Sequence, residues 1–285
     1  MKTIKFWIEA MRLRTLPVSL AGVVLGTGYA LTTGTVRWVA VVLCFAVALL
    51  AQIASNFANE YYDYVNGLDR IGREGPRRGV TEGDISPRAM KVATFVTLAL
   101  ACCAGLALIP FGSWWLIGVG IAVAIGVLAY STGPYPLSHH GLGEVAVIIF
   151  FGLVPVNFTC WLACGEWSIY CLMGSVSIGL LGANVLIVNN YRDADDDRQV
   201  GKNTLAVILG KKVMPWVYAL NALWAMGLMI TAWSAKGLLF VPIVFAAIFM
   251  IPALMMPKLT GCRLTPLLGI TSVLMFVYAL IFAFL

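Results

Sequence analysis

The stretch WVAVVLCFAVALLAQIASNFANEYYDYVNGLD, residues 38–69, combines the two features that organise the whole chain. It begins as an apolar run, and a helix of about 20 apolar residues is long enough to cross a bilayer core. It ends in carboxylates and amides that include Asn59, Glu60, Asp63 and Asp69. The stretch therefore predicts a membrane helix that carries a polar site at one end.

The composition of the whole chain is typical of a membrane protein. Of its 285 residues, 61% are hydrophobic and 11% are charged, whereas a soluble domain carries about 25% charged residues. Apolar periodicity predicts a single all-α integral-membrane domain over residues 1–285 with nine transmembrane helices. They are expected near 15–33, 37–65, 88–110, 113–131, 143–163, 167–193, 211–233, 237–256 and 265–285.

Two further features of the sequence are its N-terminus and its cysteines. The start, MKTIKFWIEAMRLRTLP, is basic and amphipathic and does not predict a cleavable signal peptide. The seven cysteines lie mostly within apolar runs at no metal-like spacing, so they are interpreted as buried thiols, with disulfides or metal ligation as the alternatives. They are Cys44, Cys102, Cys103, Cys160, Cys164, Cys171 and Cys262.

Charge is distributed unequally between the two sets of loops. The N-terminus and the loops 66–91, 131–143, 194–211 and 256–264, with adjoining helix ends, hold 17 of the 19 Lys and Arg residues. The positive-inside rule therefore predicts a multi-pass protein of the inner (plasma) membrane with these loops and the N-terminus in the cytoplasm, and the C-terminus outside. The same side holds 12 of the 13 acids, which indicates a site as well as a topology.

The acidic motif occurs twice. NEYYD (59–63) and NNYRD (189–193) carry Asn, Tyr and Asp at the same offsets, 130 residues apart. The motifs lie on the second and the sixth predicted helices, with three helices between them, so both point the same way and indicate a parallel internal repeat. Helical spacing places Asn59 with Asp63 on one face, and Asn189 with Asp193 and Asp197 on another.

Converging carboxylates repel one another unless a cation lies between them. Oxygen ligands without Cys or His favour Mg²⁺, which typically binds one or two carboxylates together with substrate phosphates. Two clusters therefore predict two metals on one diphosphate, and the flanking bases suit its oxygens. Those bases are Arg73, Arg77, Arg78, Arg192, Arg198 and Lys202. The alternative is that the acids only cap and solvate helix ends.

A diphosphate site at a membrane helix end suggests an isoprenyl diphosphate with its tail among apolar helices. Its allylic cation would need electron-rich aromatic neighbours. The candidates are Tyr61, Tyr62, Tyr64, Tyr130 and Tyr135, for which interfacial packing is the alternative.

At these motifs the chain resembles the UbiA superfamily of intramembrane aromatic prenyltransferases, most of all its MenA-type branch, which prenylates 1,4-dihydroxy-2-naphthoate. The matching stretches, within residues 12–210, are RLRTLPVSLAGVVLGT, NFANEYYDYVNGLD, GPRRGVTEG, YSTGPYPLSHHGLGE and NNYRDADDDRQVGKNTLAVILG. The resemblance implies a nine-helix fold. It also implies a motif match at Asn59, Asp63, Asp69, Asn189, Asn190, Asp193 and Asp197, with diphosphate-binding bases at Arg78 and Lys202.

The combined expectation assigns roles to these residues. Metal ligands are expected at Asn59, Asp63, Asp69, Asn189, Asp193 and Asp197; catalytic residues at Asp63, Asp193, Asn59, Asn190 and Tyr130; and substrate-binding residues at Arg78, Lys202, Arg77, Arg192 and Arg12. For Arg12 the alternative is a positive-inside anchor. Two departures from the family pattern leave open whether Glu60, where Asp is common, and the pair His139 and His140, where some relatives carry Lys, take part.

The expected reaction is Mg²⁺-dependent transfer of a polyprenyl group from a prenyl diphosphate to 1,4-dihydroxy-2-naphthoate, with loss of CO₂, giving a demethylmenaquinol. The partners are these two substrates and the lipid bilayer, with no nucleic acid. The alternatives are a related prenyltransferase with another acceptor (4-hydroxybenzoate, homogentisate or haem), a CDP-alcohol phosphotransferase, and a secondary transporter. The acids lie at one rim, whereas transport sites usually lie near the midplane.

Overall fold

A computed structural model describes residues 2–285, with side chains described from Ile4 onward, and this part of the chain is helical without β-strands. The helices are α1 (Lys2–Ala10), α2 (Leu16–Leu31), α3 (Trp38–Val65), α4 (Pro87–Leu106), α5 (Leu116–Ala129), α6 (Gly143–Val147), α7 (Val154–Cys164), α8 (Ile169–Gln199), α9 (Leu205–Leu209), α10 (Met214–Ala235), α11 (Phe240–Met255) and α12 (Thr265–Phe284).

Each of the nine predicted segments contains a helix, so the all-α prediction is confirmed. Within the described residues, seven helical stretches are long and apolar enough to cross a membrane, by length and composition. The other two are shorter, since α2 has 16 residues and α5 has 14. At 1.5 Å per residue they span only about 24 and 21 Å of a core about 30 Å thick. The count of nine crossings therefore stays a prediction.

The predicted helix 143–163 is interrupted by a π-helical segment, Ile148–Leu153, between α6 and α7. Pro155 follows it, and a proline lacks the N–H that would bond the carbonyl four residues earlier, at Phe151. This widened backbone packs closely on α2, because a Cβ on Gly22 would lie 2.6 Å from the Phe151 carbonyl oxygen. The irregularity places Phe151 beside the cavities described below.

Helix α8 is the centre of the bundle and packs against α2, α7, α10 and α12. Small residues make this possible: a Cβ on Gly179 would lie 2.9 Å from Ile148 Cα, and one on Gly26 of α2 would lie 2.5 Å from the Val156 carbonyl oxygen. Both glycines belong to small-residue faces, at Gly22–Gly26 and Ser175–Gly179–Ala183, and such faces let membrane helices approach closely.

The two helices that carry the acidic motifs end in similar ways. Asn66 and Gly67 end α3, with Gly67 at φ 67° and the Leu68 amide donating to the Asp63 carbonyl over 2.8 Å. Helix α8 continues to Gln199, six residues beyond the predicted end at 193, and Gly201 at φ 75° follows it. The added turns keep Asp197 on the same rigid helix as Asp193.

The prediction of seven buried thiols is partly wrong. All seven cysteines are free, but Cys102, Cys103 and Cys262 are exposed. Cys103 lies on an exposed face of α4, and Cys102 lines the apolar cavity described below; in both places a thiol behaves as a small hydrophobic group. An apolar run in a membrane protein therefore does not distinguish the core from the lipid surface.

Candidate active site

The two acidic motifs line one cavity of about 570 Å³ at the ends of α3 and α8. Of the six predicted metal ligands, five line it, namely Asn59, Asp63, Asn189, Asp193 and Asp197. Asp69 does not line the cavity but is joined to it through Arg73. The parallel orientation predicted from the repeat thus brings residues 130 positions apart to the same place.

Four basic side chains from outside the two motifs face these oxygens and are called here the cation cluster: Arg12, Arg73, Arg78 and Lys202. Arg73 bridges the motifs, since its Nη1 lies 2.9 Å from Asp69 Oδ1 and its Nη2 lies 3.0 Å from Asp193 Oδ2. Lys202 reaches from the loop after α8 to Asp63 Oδ2 over 2.8 Å. Arg73, which follows the first motif, therefore reaches the second, and Lys202, which follows the second motif, reaches the first.

Asn59 connects the first motif to two members of the cation cluster. Its Oδ1 accepts hydrogen bonds from Arg12 Nη2 at 2.6 Å and from Arg78 Nη2 at 3.2 Å. Its Nδ2 donates to Ser131 Oγ at 3.2 Å. Arg12 reaches this position from a left-handed backbone conformation, φ 52°, which turns the chain between α1 and α2. Arg12 thus lies inside the site, beyond the role of a membrane anchor.

The second motif is held by its own arginine. Arg192 Nε donates to Asp193 Oδ1 over 2.7 Å, and its Nη2 donates to Asn189 Oδ1 over 2.9 Å. Asn190 turns to another wall, where its Nδ2 donates to the buried carboxylate of Glu144 at 2.9 Å. Arg192 therefore neutralises Asp193 locally, while Asn190 is fixed by Glu144.

Three residues that the sequence left undecided have definite contacts. Glu60 is buried, and its Oε1 accepts from the Val80 amide at 3.0 Å, so it fixes the loop after α3. His139 Nε2 lies 3.8 Å from Asp63 Oδ1. His140 stacks on Tyr135, with ring centroids 3.7 Å apart. Of this group, His139 is the one beside the carboxylates.

The predicted bases and aromatics differ in how they face the cavity. Arg77 lines its edge but lies 2.6 Å from Asp84, with 45% of its side chain exposed. Tyr130 is the one predicted tyrosine within the lining described for this cavity. Tyr61 and Tyr62 pack on each other at 4.9 Å, while Tyr64 and Tyr135 are exposed. Tyr130 is therefore the candidate, of the five, that the structure places at the site.

The donor set suits a divalent cation. Oδ1 of Asp63 and Oδ2 of Asp69 are buried and have no hydrogen-bond partner, and an unpaired buried oxygen is costly unless a ligand binds it. Burial raises the pKa of Asp69, and the neighbouring Asp63 carboxylate raises it further. Among the residues described, no three His, Cys, Asp or Glu side chains converge as an all-protein metal cage. Carboxylates and amides completed by phosphate oxygens match the way Mg²⁺ binds.

A second cavity, of about 320 Å³ and apolar, adjoins the first between α3, α4, α5 and α7. It extends from Tyr130 to Leu116 along α5, about 21 Å at 1.5 Å per residue. Five residues line both cavities: Gln52, Ser55, Tyr130, Val147 and Phe151. The site as a whole is therefore a polar, cation-lined chamber opening into a hydrocarbon-lined one, which suits a ligand with an anionic head and an apolar tail.

Several site residues carry no signal that sequence reasoning could weigh. Arg73 was one basic neighbour among several, and only the loop's path shows that it bridges the motifs. Gln52 lies in the apolar part of α3, two turns before Asn59. Ser131 and Glu144 fall within stretches that match the family, but neither residue type at its position indicates a contact with a motif asparagine.

Comparison with known proteins shows which family the sequence matches. The model of the UbiA prenyltransferase family matches residues 19–263. The 1,4-dihydroxy-2-naphthoate octaprenyltransferase of Mycobacterium leprae is 37% identical over 96% of this chain and 93% of its own length. The protein of the same description from Escherichia coli is 36% identical over 72% of this chain and 68% of its own length.

The solved structure of a UbiA homolog from Archaeoglobus fulgidus bound to GPP and Mg²⁺ has the same fold. It superposes with a TM-score of 0.72, covering 98% of this chain and 99% of that one, at 15% identity. At that identity the likeness concerns the fold alone.

Proposed function

Since the chain belongs to the UbiA prenyltransferase family, we propose that it catalyses Mg²⁺-dependent transfer of a polyprenyl group to 1,4-dihydroxy-2-naphthoate. The chain is a multi-pass membrane protein and a prenyltransferase. The names of its relatives in M. leprae and E. coli support the naphthoate as acceptor. The observation that carries the proposal is the joining of the two motifs around one cation-lined chamber that opens into an apolar cavity.

In this proposal the diphosphate lies among the cation cluster. Arg73, Arg78 and Lys202 carry N–H groups that now contact carboxylates, and phosphate oxygens would accept from the same groups. Asp63 and Asp193 would then be free to bind metal, together with the amide oxygens of Asn59 and Asn189. When bound, Mg²⁺ would supply positive charge that stabilises the departing diphosphate.

The prenyl tail would lie in the apolar cavity, which places the bond that breaks at the junction of the two chambers. Tyr130 lines both chambers, and the face of its ring would stabilise an allylic cation there. The surrounding Val147 and Phe151 exclude water, which would otherwise capture that cation. Asn190, held by Glu144, completes the wall.

The naphthoate is suited to this chemistry because its two hydroxyl groups make the ring carbons electron-rich. The carbon that bears the carboxylate forms a bond to C1 of the prenyl group as the bond from C1 to the diphosphate oxygen breaks. The ring then loses CO₂, and the electron pair of that bond restores aromaticity. The products are the prenylated quinol, CO₂ and diphosphate, so the step needs no oxidant and no dedicated decarboxylating residue.

The acceptor proposal predicts that purified protein releases labelled CO₂ from carboxyl-labelled naphthoate, in amounts equal to the prenylated product. The release should require a prenyl diphosphate, because decarboxylation follows carbon–carbon bond formation. The measurement is trapped radioactivity against product by chromatography, with 4-hydroxybenzoate as a matched acceptor. Efficient prenylation of 4-hydroxybenzoate without turnover of the naphthoate would refute the acceptor and leave the reaction class standing.

We also propose that the site faces the cytoplasm of the inner (plasma) membrane, from the 17-to-2 division of basic residues. Ile71 is exposed in the loop after α3, and Ala235 is exposed at the opposite end of the bundle. In a cysteine-free background, Ile71→Cys should react with an impermeant maleimide only after the membrane is opened, and Ala235→Cys in intact cells. Labelling of both from one side would contradict the topology.

A further inference from the structure

The junction between the two chambers contains a buried amide that no part of the proposed reaction uses. Gln52 lines both cavities and is 8% exposed. It lies seven residues before Asn59 on α3, so it is about 10 Å deeper along the helix axis. In the proposed function the diphosphate and its metals would be held at the level of Asn59, which would leave Gln52 beside the reacting carbons.

The contacts of Gln52 fix which way its amide points. Asn56 Nδ2 donates to the Met11 carbonyl at 2.9 Å, and a backbone carbonyl can only accept. Asn56 must therefore direct its Oδ1 toward Gln52, and this oxygen accepts from Gln52 Nε2 at 3.1 Å. Gln52 Nε2 is also 3.4 Å from Thr15 Oγ1. The amide orientation follows from this chain of contacts, and a flip of either side chain would set two donors or two acceptors against each other.

One polar atom of Gln52 has no partner among these contacts. Gln52 Oε1 is buried and has no hydrogen-bond partner, and a buried acceptor of this kind is normally satisfied by a donor. A prenyl diphosphate cannot supply one at this depth, because its tail is hydrocarbon and its phosphate oxygens are acceptors. A hydroxylated aromatic ring can, since a phenolic O–H donates.

We propose that Gln52 Oε1 accepts a hydrogen bond from one ring hydroxyl of the aromatic acceptor, and that Gln52 thereby determines acceptor specificity. The inference rests on the proposed function and deepens it. The hydroxyl sits at the junction, with the ring beside Tyr130 and Phe151 and its reacting carbon toward the polar chamber. When Gln52 Oε1 accepts this hydrogen bond, it also increases the electron density on the phenolic oxygen and the ring. That increase favours attack by the ring on the prenyl cation.

The first test replaces Gln52 with methionine, which keeps the length and removes both polar atoms. The KM for the naphthoate should rise about fivefold to tenfold, the effect of one neutral hydrogen bond, while the KM for prenyl diphosphate stays unchanged. The matched control is Asn157→Leu, which removes another buried amide, one on α7 that donates to the Leu153 carbonyl at the end of the π-helical segment. Asn157 is absent from the linings of both cavities, so its KM values should not change.

The second test removes the hydroxyl from the ligand, so that a folding defect cannot imitate the result. Dissociation constants of the full naphthoate, 1-hydroxy-2-naphthoate and 4-hydroxy-2-naphthoate are measured by calorimetry on wild type and Gln52→Met. The difference between the two proteins should vanish for one of the single-hydroxyl ligands and persist for the other. A difference that persists for both, or is absent for the full naphthoate, overturns the inference.

The proposed acceptor and the proposed role of Gln52 can be refuted independently. If wild type neither binds nor prenylates the naphthoate, the proposed acceptor is wrong. The same comparison is then made with the hydroxylated aromatic that is prenylated and its deoxy analogue. An equal loss for both ligands in Gln52→Met would show a structural role only and would overturn the inference about Gln52.

Discussion

Replacing Asp63 or Asp193 with asparagine is expected to lower kcat roughly 1000-fold, about 4 kcal/mol of lost transition-state stabilisation. Each change keeps the shape of the side chain and removes one negative charge. Both carboxylates are nearly inaccessible, at 1% and 3% exposed, and each faces members of the cation cluster. In the proposed site each carboxylate binds metal when the diphosphate has taken over those cations.

The matched control lies on the same helix as Asp193. Asp195 points out of the site, with 67% of its side chain exposed, and pairs with Lys211 at 2.6 Å. A surface ion pair of this kind contributes little, about 0–1 kcal/mol, so Asp195→Asn should keep kcat within about twofold. Diphosphate release by purified variants is the measurement, with thermal unfolding as the check on folding. A near-normal rate in either buried variant would contradict a site made by both motifs.

The fold was largely predictable because a membrane imposes its pattern on the sequence. Long apolar runs reflect the bilayer directly, since every backbone polar group within it must be satisfied inside a helix. Helix lengths were less predictable: α5 begins only after Trp115 and ends at Ala129, since turns at both ends replace the outer residues of the predicted segment. Whether two such short helices cross the membrane depends on tilt and local thickness, which composition does not encode.

Helical spacing predicts the site residues on α3 and α8, and the family resemblance predicts Arg78 and Lys202 on loops, but the contacts of the other loop residues were not predictable. Asn59 with Asp63, and Asn189 with Asp193, follow from helical spacing and from the repeat. Arg73 and Arg77 are equivalent in sequence, but the loop carries Arg73 to Asp193 and turns Arg77 to Asp84. Contacts of this kind join residues 120 positions apart, and no local pattern indicates them.

The tyrosines show the opposite difficulty, because the sequence offers more candidates than the site contains. Tyrosines near a helix end are frequent in membrane proteins, and five of them fitted the proposed cation. Helical phase excludes most: Tyr61, Tyr62 and Tyr64 lie on faces of α3 that turn away from Asp63. Gln52 shows the converse, because an isolated amide in an apolar run becomes informative only once its partners at Asn56 and Met11 are known.

Removal of Mg²⁺ is expected to lower turnover as strongly as the aspartate substitutions do. The chain offers carboxylates and amides but, in its described part, no cage of three acidic, thiol or imidazole groups that would hold a metal by itself. The metal is therefore expected to bind together with the diphosphate and to exchange readily. A chelator should then stop turnover completely, whereas a tightly caged structural metal would resist it.

The most direct test of the central claim, that both motifs act as one Mg²⁺-dependent diphosphate site, is diphosphate release by purified wild-type protein during Mg²⁺ titration. With prenyl diphosphate and naphthoate saturating, the account predicts no release after chelation, full recovery on adding Mg²⁺, and a rise with concentration steeper than first order because two ions bind. Zn²⁺ should recover little, since the ligands are all oxygen. Release that continues unchanged in the chelator would contradict the account.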